Sequence, residues 1–78
     1  MTLADLPRER AASIVSVDGR TALAQRLLAM GFLPGALVRV VGAAPFGDPI
    51  TVELDGWRVS LRRAEAAALR VSAEGGAP

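Results

Sequence analysis

The side chains that could carry chemistry in this chain are serines, carboxylates and arginines, because it contains no histidine and no cysteine. A serine nucleophile needs a neighbouring base, and histidine is the commonest one. Ser13, Ser16, Ser60 and Ser72 have no partner of that type. No glycine-rich stretch has the spacing of a phosphate-binding loop. The sequence therefore predicts a protein that is not an enzyme, with no catalytic residue and no cofactor.

The eight carboxylates are dispersed along the chain, and a metal site would have to be built from them. Asp48 and Glu65 are the pair that could approach one another in space. Two carboxylates would hold a hard cation weakly, whereas selective transition-metal sites usually include imidazole or thiolate ligands. We therefore predict no metal ligands, and we keep weak metal binding as an alternative.

Arginine supplies all nine basic residues, and the formal net charge is only +1. The longest basic run is Arg62-Arg63. It is either a contact for a partner or a solvated strand end that pairs with Glu65 or Asp48. Because the chain lacks a basic patch and stacking aromatics, we expect no nucleic-acid partner.

Three aromatic residues are present, at Phe32, Phe46 and Trp57. Phe32-Leu33 lies between turn residues, so it either exposes an apolar knob or packs back on the preceding helix. Packing back is the favoured interpretation. Trp57 stands beside a predicted turn, where we favour a lid on the mouth of a barrel over a ligand platform.

A hairpin at Asp55-Gly56 organises the elements that position these residues. Asp-Gly between alternating apolar runs favours a type I′ turn, which needs positive φ at both central residues. A two-residue loop pairs Ile50 with Leu61, Val52 with Val59 and Leu54 with Trp57 on one face, and Thr51 with Ser60 and Glu53 with Arg58 on the other. One face of the hairpin is thus an apolar strip that the rest of the chain must cover.

Periodicity and turn residues predict the other elements. They are a helical turn at Thr2 to Leu6, a strand at Ala11 to Val17, a helix at Thr21 to Met30 ended by Gly31, a type II turn at Pro34-Gly35, a strand at Ala36 to Val41 ended by Gly42, a short helix at Arg63 to Ala68 and a strand at Leu69 to Ser72. The fold class is mainly β (α+β by composition): a bent sheet of about five short strands that closes into a small barrel, with one helix inserted after strand 1. Residues 1–72 form the domain, and residues 73–78 a flexible tail.

No apolar run approaches the roughly 20 residues that a membrane-spanning helix needs. Asp5 and Arg8 interrupt the segment where a signal peptide would be apolar. We therefore expect a cytoplasmic protein that does not insert into a membrane.

Three stretches, in order, resemble the FeoA family, small proteins of bacterial ferrous iron uptake. The matching positions are Arg26, Leu27, Met30, Gly31, Pro34 and Gly35, then Pro45, Gly47, Asp48, Pro49 and Ile50, then Leu61, Arg62, Arg63, Glu65 and Ala66. The resemblance covers about Leu3 to Ser72. It departs at Glu9-Arg10, where family members usually carry a glycine turn.

The resemblance implies an SH3-like barrel that is a non-enzymatic cytosolic accessory protein of iron uptake. Its implied partner is the FeoB transporter, which it would bind and modulate. The alternative is a weak transition-metal-binding or metal-sensing module, related to the C-terminal domains of metal-dependent repressors. Weak self-association is left open. The candidate partner-binding residues are Met30, Phe32, Leu33, Pro34, Arg62 and Arg63.

Overall fold

The computed structural model describes residues 1–73, and strands are its main secondary structure. In chain order the elements are a 3-10 turn (Leu3–Asp5), β1 (Ala11–Val17), α1 (Ala22–Met30), β2 (Leu37–Ala43), β3 (Ile50–Leu54), β4 (Trp57–Leu61), α2 (Arg63–Ala66) and β5 (Leu69–Ala73). The predicted element types and order are confirmed. Of the predicted tail, Ala73 belongs to β5, and residues 74–78 lie outside the described residues.

All five strands form one antiparallel sheet in the order β4-β3-β2-β1-β5. Closure of the sheet was predicted, but within residues 1–73 no ladder joins β4 to β5. The N-terminus occupies the outer edge of β5 instead: Thr2 forms a bridge with Arg70, and the Val71 N–H donates to the Met1 carbonyl at 3.0 Å. The architecture is otherwise the predicted mainly β fold.

The β3–β4 hairpin has the predicted register at all five pairs. Asp55 (φ 47°) and Gly56 (φ 90°) both have positive φ, as a type I′ turn requires. One expected contact is different. Glu53 lies opposite Arg58, but its carboxylate accepts from Arg39 on β2, at 3.1 Å. The turn and the apolar alternation therefore determine the register without that ion pair.

Helix α1 begins and ends at the predicted signals. The Thr21 hydroxyl accepts the Ala24 N–H at 3.2 Å, which caps the first turn. Gly31 has φ 108°, and the Phe32 N–H donates to the Leu27 carbonyl at 3.1 Å. This is the hydrogen bond of a Schellman ending, and it turns Phe32 back toward the helix that it terminates.

Strand β2 continues past the glycine that was predicted to end it. Gly42 pairs with Thr51, and the register shifts between Val40 and Gly42. A glycine inside a strand often marks such a bulge, because the extra residue bends the backbone. Helix α2 is shorter than predicted, and β5 is one residue longer.

The core is aliphatic apart from Phe32, and its largest fully buried side chains are those of Leu3, Leu27, Phe32, Ile50, Leu61, Leu69, Val38 and Val52. Trp57 is the exception in the hairpin strip. It was expected to cover the barrel mouth, but 77% of it is exposed. Gly31, at the end of α1, lies close to Leu54: a Cβ at position 31 would be 3.5 Å from Leu54 Cδ2. Trp57 is paired with Leu54 one strand further out, where it borders an open surface cavity together with Met30.

No helix within residues 1–73 is both long enough and apolar enough to cross a bilayer.

The N-terminal turn makes one pH-dependent contact. The Asp5 carboxylate accepts the Thr2 N–H at 3.2 Å and the Thr2 hydroxyl at 3.1 Å, and these hydrogen bonds lower the pKa of Asp5. A carboxyl with a depressed pKa adds stability above its unfolded pKa of about 4, which is lost as the pH falls through its folded pKa. We expect a carbon-detected NMR titration to place the Asp5 pKa below the ordinary value of an aspartate, and Thr2→Val to raise this pKa partway. An Asp5 pKa at the ordinary value would contradict this contact.

Glu9 belongs to the Glu9-Arg10 pair at which a glycine turn was expected from the resemblance, and its φ is 67°. A left-handed backbone costs a non-glycine residue about 1–2 kcal/mol. Glycine avoids this cost, but it loses more conformational entropy on folding, which cancels part of the gain. The contact between Glu9 and Arg39, at 3.9 Å, is exposed and contributes little. We therefore expect Glu9→Gly to raise the free energy of unfolding by about 0.5–1 kcal/mol. Urea denaturation should show a lower free energy of unfolding for Arg10→Gly. A lower free energy of unfolding for both variants would contradict the backbone strain inferred at Glu9.

Candidate partner-binding surface

Two surface cavities of ≈ 450 Å³ each lie along strand β4, and Met30 lines both of them. Toward the hairpin turn, Met30 shares a cavity with Leu54, Trp57 and Val59. Toward the strand exit, it shares the other with Leu61. The Met30 side chain is partly exposed, at 38%. The end of α1 and strand β4 thus border one groove, which we call the α1–β4 groove.

The exit end of the groove carries charge. Arg26, Arg62 and Glu65 all line its cavity. The Arg26 guanidinium is paired with the Glu65 carboxylate, which also accepts the Arg62 N–H at 2.8 Å. Glu65 thereby ties α1 to the start of α2. Its charge is already engaged, and the exposed Arg62 side chain forms no ion pair within residues 1–73.

Arg63 points to a different part of the surface from Arg62. Its N–H donates to Asp48 Oδ1 at 3.1 Å, and its guanidinium donates to the Gly47 carbonyl. The contact with Asp48 is thus made by the Arg63 backbone, and the predicted ion pair of this arginine with Asp48 or Glu65 is not formed within residues 1–73. Arg63 holds the loop between β2 and β3 against the start of α2.

Asp48 and Glu65, the two carboxylates that could approach one another in space, are each hydrogen-bonded to other groups. Asp48 accepts from the Arg63 backbone, while Glu65 accepts from Arg26 and Arg62. Within residues 1–73, no three His, Cys, Asp or Glu side chains lie close enough together to hold a metal ion. The acidic groups of this region hold loops and helix ends together.

The structure separates the six candidate contact residues. Met30 and Arg62 come together in the α1–β4 groove. Leu33, 52% exposed, and Pro34, also exposed, lie on the turn that follows α1. Phe32 is completely buried, as the favoured packing interpretation expected, so it supports this turn from inside the core.

Two exposed aromatic residues were not among the candidates. Trp57 borders the groove; its alternation with Val59 and Leu61 predicted a buried position, but of these three residues only Leu61 is buried. Phe46 is 100% exposed on the β2–β3 loop. The sequence did indicate this exposure, because Phe46 lies between Pro45 and Gly47 and belongs to no periodic pattern of apolar residues. Exposed aromatics of this kind are enriched where proteins bind one another.

Comparison with known proteins identifies the chain's relatives. The model of the FeoA domain matches residues 1–73. The chain belongs to the FeoA family. This family is associated with ferrous iron transport, so the resemblance inferred from the three motifs is confirmed.

Solved FeoA structures share the fold. A Chlorobium tepidum FeoA is 35% identical, with a TM-score of 0.89 over 100% of this chain and 74% of that one. The Stenotrophomonas maltophilia FeoA, solved with zinc and described as a prokaryotic SH3 domain protein, is 37% identical, with a TM-score of 0.82 over 92% of this chain and 89% of that one. The SH3-like expectation is therefore confirmed.

A curated relative joins FeoA and FeoB in one polypeptide. This Porphyromonas gingivalis protein, a fusion of Fe(2+) transport protein A and Fe(2+) transporter FeoB, is 41% identical over 71 residues. The match covers 91% of this FeoA chain but only 8% of the relative. The chain therefore corresponds to a small part of that protein.

Proposed function

We propose that this FeoA protein is a non-enzymatic accessory protein of ferrous iron uptake that binds and modulates the FeoB transporter from the cytoplasm. The observation that carries the proposal is the fusion of a related FeoA sequence to FeoB in one chain. Fusion raises the effective concentration of two proteins for one another. This is useful for proteins that bind each other, so a fusion favours FeoA and FeoB as binding partners.

The surface fits a binding role. The α1–β4 groove combines Met30, Trp57 and the guanidinium of Arg62. Aromatic, methionine and arginine side chains are the types enriched in interfaces. Leu33 and Pro34 extend the exposed apolar surface beyond the end of α1. Phe32 and Arg63 would act indirectly, by supporting the turn and the loop that present these residues.

A titration with the purified cytosolic domain of FeoB from the same genome tests the proposal. We expect saturable binding by calorimetry, and the same binding by full-length FeoB in nanodiscs. An unrelated cytosolic GTPase domain serves as the control. Absence of association with both forms of FeoB would refute the proposal.

The second candidate function is metal binding, because the Stenotrophomonas maltophilia relative was solved with zinc. The carboxylates within residues 1–73 do not form a group of three that could hold a metal, so a site of this kind would be weak. Anaerobic calorimetry with Fe²⁺, and then with Zn²⁺, distinguishes the candidates. A stoichiometric submicromolar site would favour a metal-binding module over an adaptor for FeoB.

A further inference from the structure

The two outer strands of the sheet differ in what covers them. The outer edge of β5 is covered by the first two residues of the chain: the Val71 N–H donates to the Met1 carbonyl, and Arg70 forms a bridge with Thr2. Strand β4 is the other outer strand, and within residues 1–73 no strand pairs with its outer side. An uncovered edge presents N–H and C=O groups to which another extended chain can pair.

The hairpin register identifies the free groups. The two residues that flank a two-residue turn form a hydrogen-bonded pair. From there, non-hydrogen-bonded and hydrogen-bonded pairs alternate along the ladder. Leu54 and Trp57 are therefore a hydrogen-bonded pair, as are Val52 and Val59. The intervening residues of β4, Arg58 and Ser60, direct their backbone N–H and C=O groups away from β3, and both residues are exposed.

The α1–β4 groove runs along this same edge. One cavity adjoins Trp57 and Val59, and the other adjoins Leu61 and Arg62. Side chains on one face of a strand recur about every 6.8 Å. An extended segment paired with β4 would direct alternate side chains into the groove, where Met30 and the apolar face of β4 would surround them.

Charge decides which kind of segment fits. Arg58 and Arg62 flank the free backbone groups of β4, and within residues 1–73 neither guanidinium makes an ion pair. Opposite charges across a ladder are favourable, and like charges directly opposite are unfavourable. The intervening residues of a matching segment are therefore acidic.

The same charges bear on pairing with a second copy of this chain. In the antiparallel two-fold pairing that uses all of β4 (Trp57–Leu61), Val59 would face Val59 of the other copy, and Arg58 would lie opposite Ser60. The second copy would therefore place no carboxylate opposite Arg58, whereas an acidic segment would. Charged side chains on an exposed edge strand commonly protect it from pairing with itself.

We propose that the β4 edge of this FeoA protein binds an extended segment of FeoB by strand addition, which rests on the function proposed above. The segment has apolar side chains at alternate positions, which enter the α1–β4 groove, and carboxylates between them, which pair with Arg58 and Arg62. Strand addition obtains its affinity from main-chain hydrogen bonds and its specificity from the pockets for alternate side chains.

A matched pair of variants at Ser60 tests this. Ser60→Pro removes an outward N–H and leaves the β3 ladder intact, and proline is tolerated on edge strands in this orientation. Ser60→Ala keeps the N–H. In calorimetric titrations with the FeoB cytosolic domain, we expect Ser60→Pro to weaken binding about tenfold and Ser60→Ala to leave it within about twofold. Equal affinities for the two variants would overturn the proposal.

Amide hydrogen exchange on the unmodified protein gives a second test that needs no variant. Saturation with the FeoB domain should slow exchange at Arg58 and Ser60, while the exposed amide of Arg20, far along the chain, serves as a reference. If FeoB binds and these two amides remain unprotected, the strand-addition proposal fails and the proposed function stands. If FeoB does not bind at all, both fail.

Discussion

Replacing Phe32 by alanine is expected to lower the free energy of unfolding by about 3–5 kcal/mol, the cost of truncating a fully buried phenylalanine. Phe32 is the largest completely buried side chain, and the Schellman ending of α1 directs it into the core. Small domains have thin margins, within a range of roughly 5–15 kcal/mol for folded proteins in general. The variant should therefore be partly unfolded at 37 °C.

Urea denaturation followed by far-UV circular dichroism measures this effect. The single tryptophan, Trp57, is largely exposed, so its fluorescence would report core packing poorly. Leu33→Ala is the matched control, because Leu33 is the next residue and is half exposed. We expect it to cost less than about 1 kcal/mol. Equal losses for the two variants would mean that Phe32 does not anchor the core.

The hairpin shows how far the sequence determines this fold. Asp55-Gly56 requires positive φ at two successive positions, and only one register then places the apolar residues of both strands on the same face. Local chemistry and side-chain alternation therefore agree, which is why the register could be predicted to the residue. Helix α1 was predictable for the same reason, since its periodicity ends at Gly31.

The features that could not be predicted depend on what lies nearby in three dimensions. Trp57 has the same alternation as Leu61 on edge strand β4, but Leu61 is buried and Trp57 is exposed beside the hairpin turn. The ion pair of Arg26 with Glu65 joins residues 39 positions apart. Glu53 lies between two cross-strand arginines, Arg39 on β2 and Arg58 on β4, and its ion pair is with Arg39. Alternation describes the face of a strand and does not show whether another element covers it.

The residues that carry the family resemblance mostly serve the fold. Gly31 ends α1 with positive φ, Asp48 accepts from the Arg63 backbone, and Glu65 joins α1 to the start of α2. Two other motif positions, Met30 and Arg62, line the α1–β4 groove, so the motifs mark only part of the proposed partner surface. Trp57, which borders the α1–β4 groove, lies outside the three motifs. A search for the binding surface must therefore use exposure as well as motif membership.

Trp57→Ala is expected to weaken binding to the FeoB cytosolic domain by about 30-fold or more, since tryptophan at an interface centre commonly contributes 2 kcal/mol or more. Because 77% of Trp57 is exposed, its removal should change the free energy of unfolding by less than about 0.5 kcal/mol. Calorimetric titration measures the first quantity, and urea denaturation the second. A large loss of affinity with unchanged stability would assign Trp57 to the interface and not to the core.

Val15→Ala is the matched control for this substitution. Val15 is 53% exposed on β1, and it lines neither cavity of the α1–β4 groove. Binding by this variant should equal that of the unmodified protein. If Trp57→Ala also binds normally, FeoB contacts a different surface, and the fully exposed Phe46 becomes the residue to replace next. If both variants lose affinity equally, the effect is not specific to the groove.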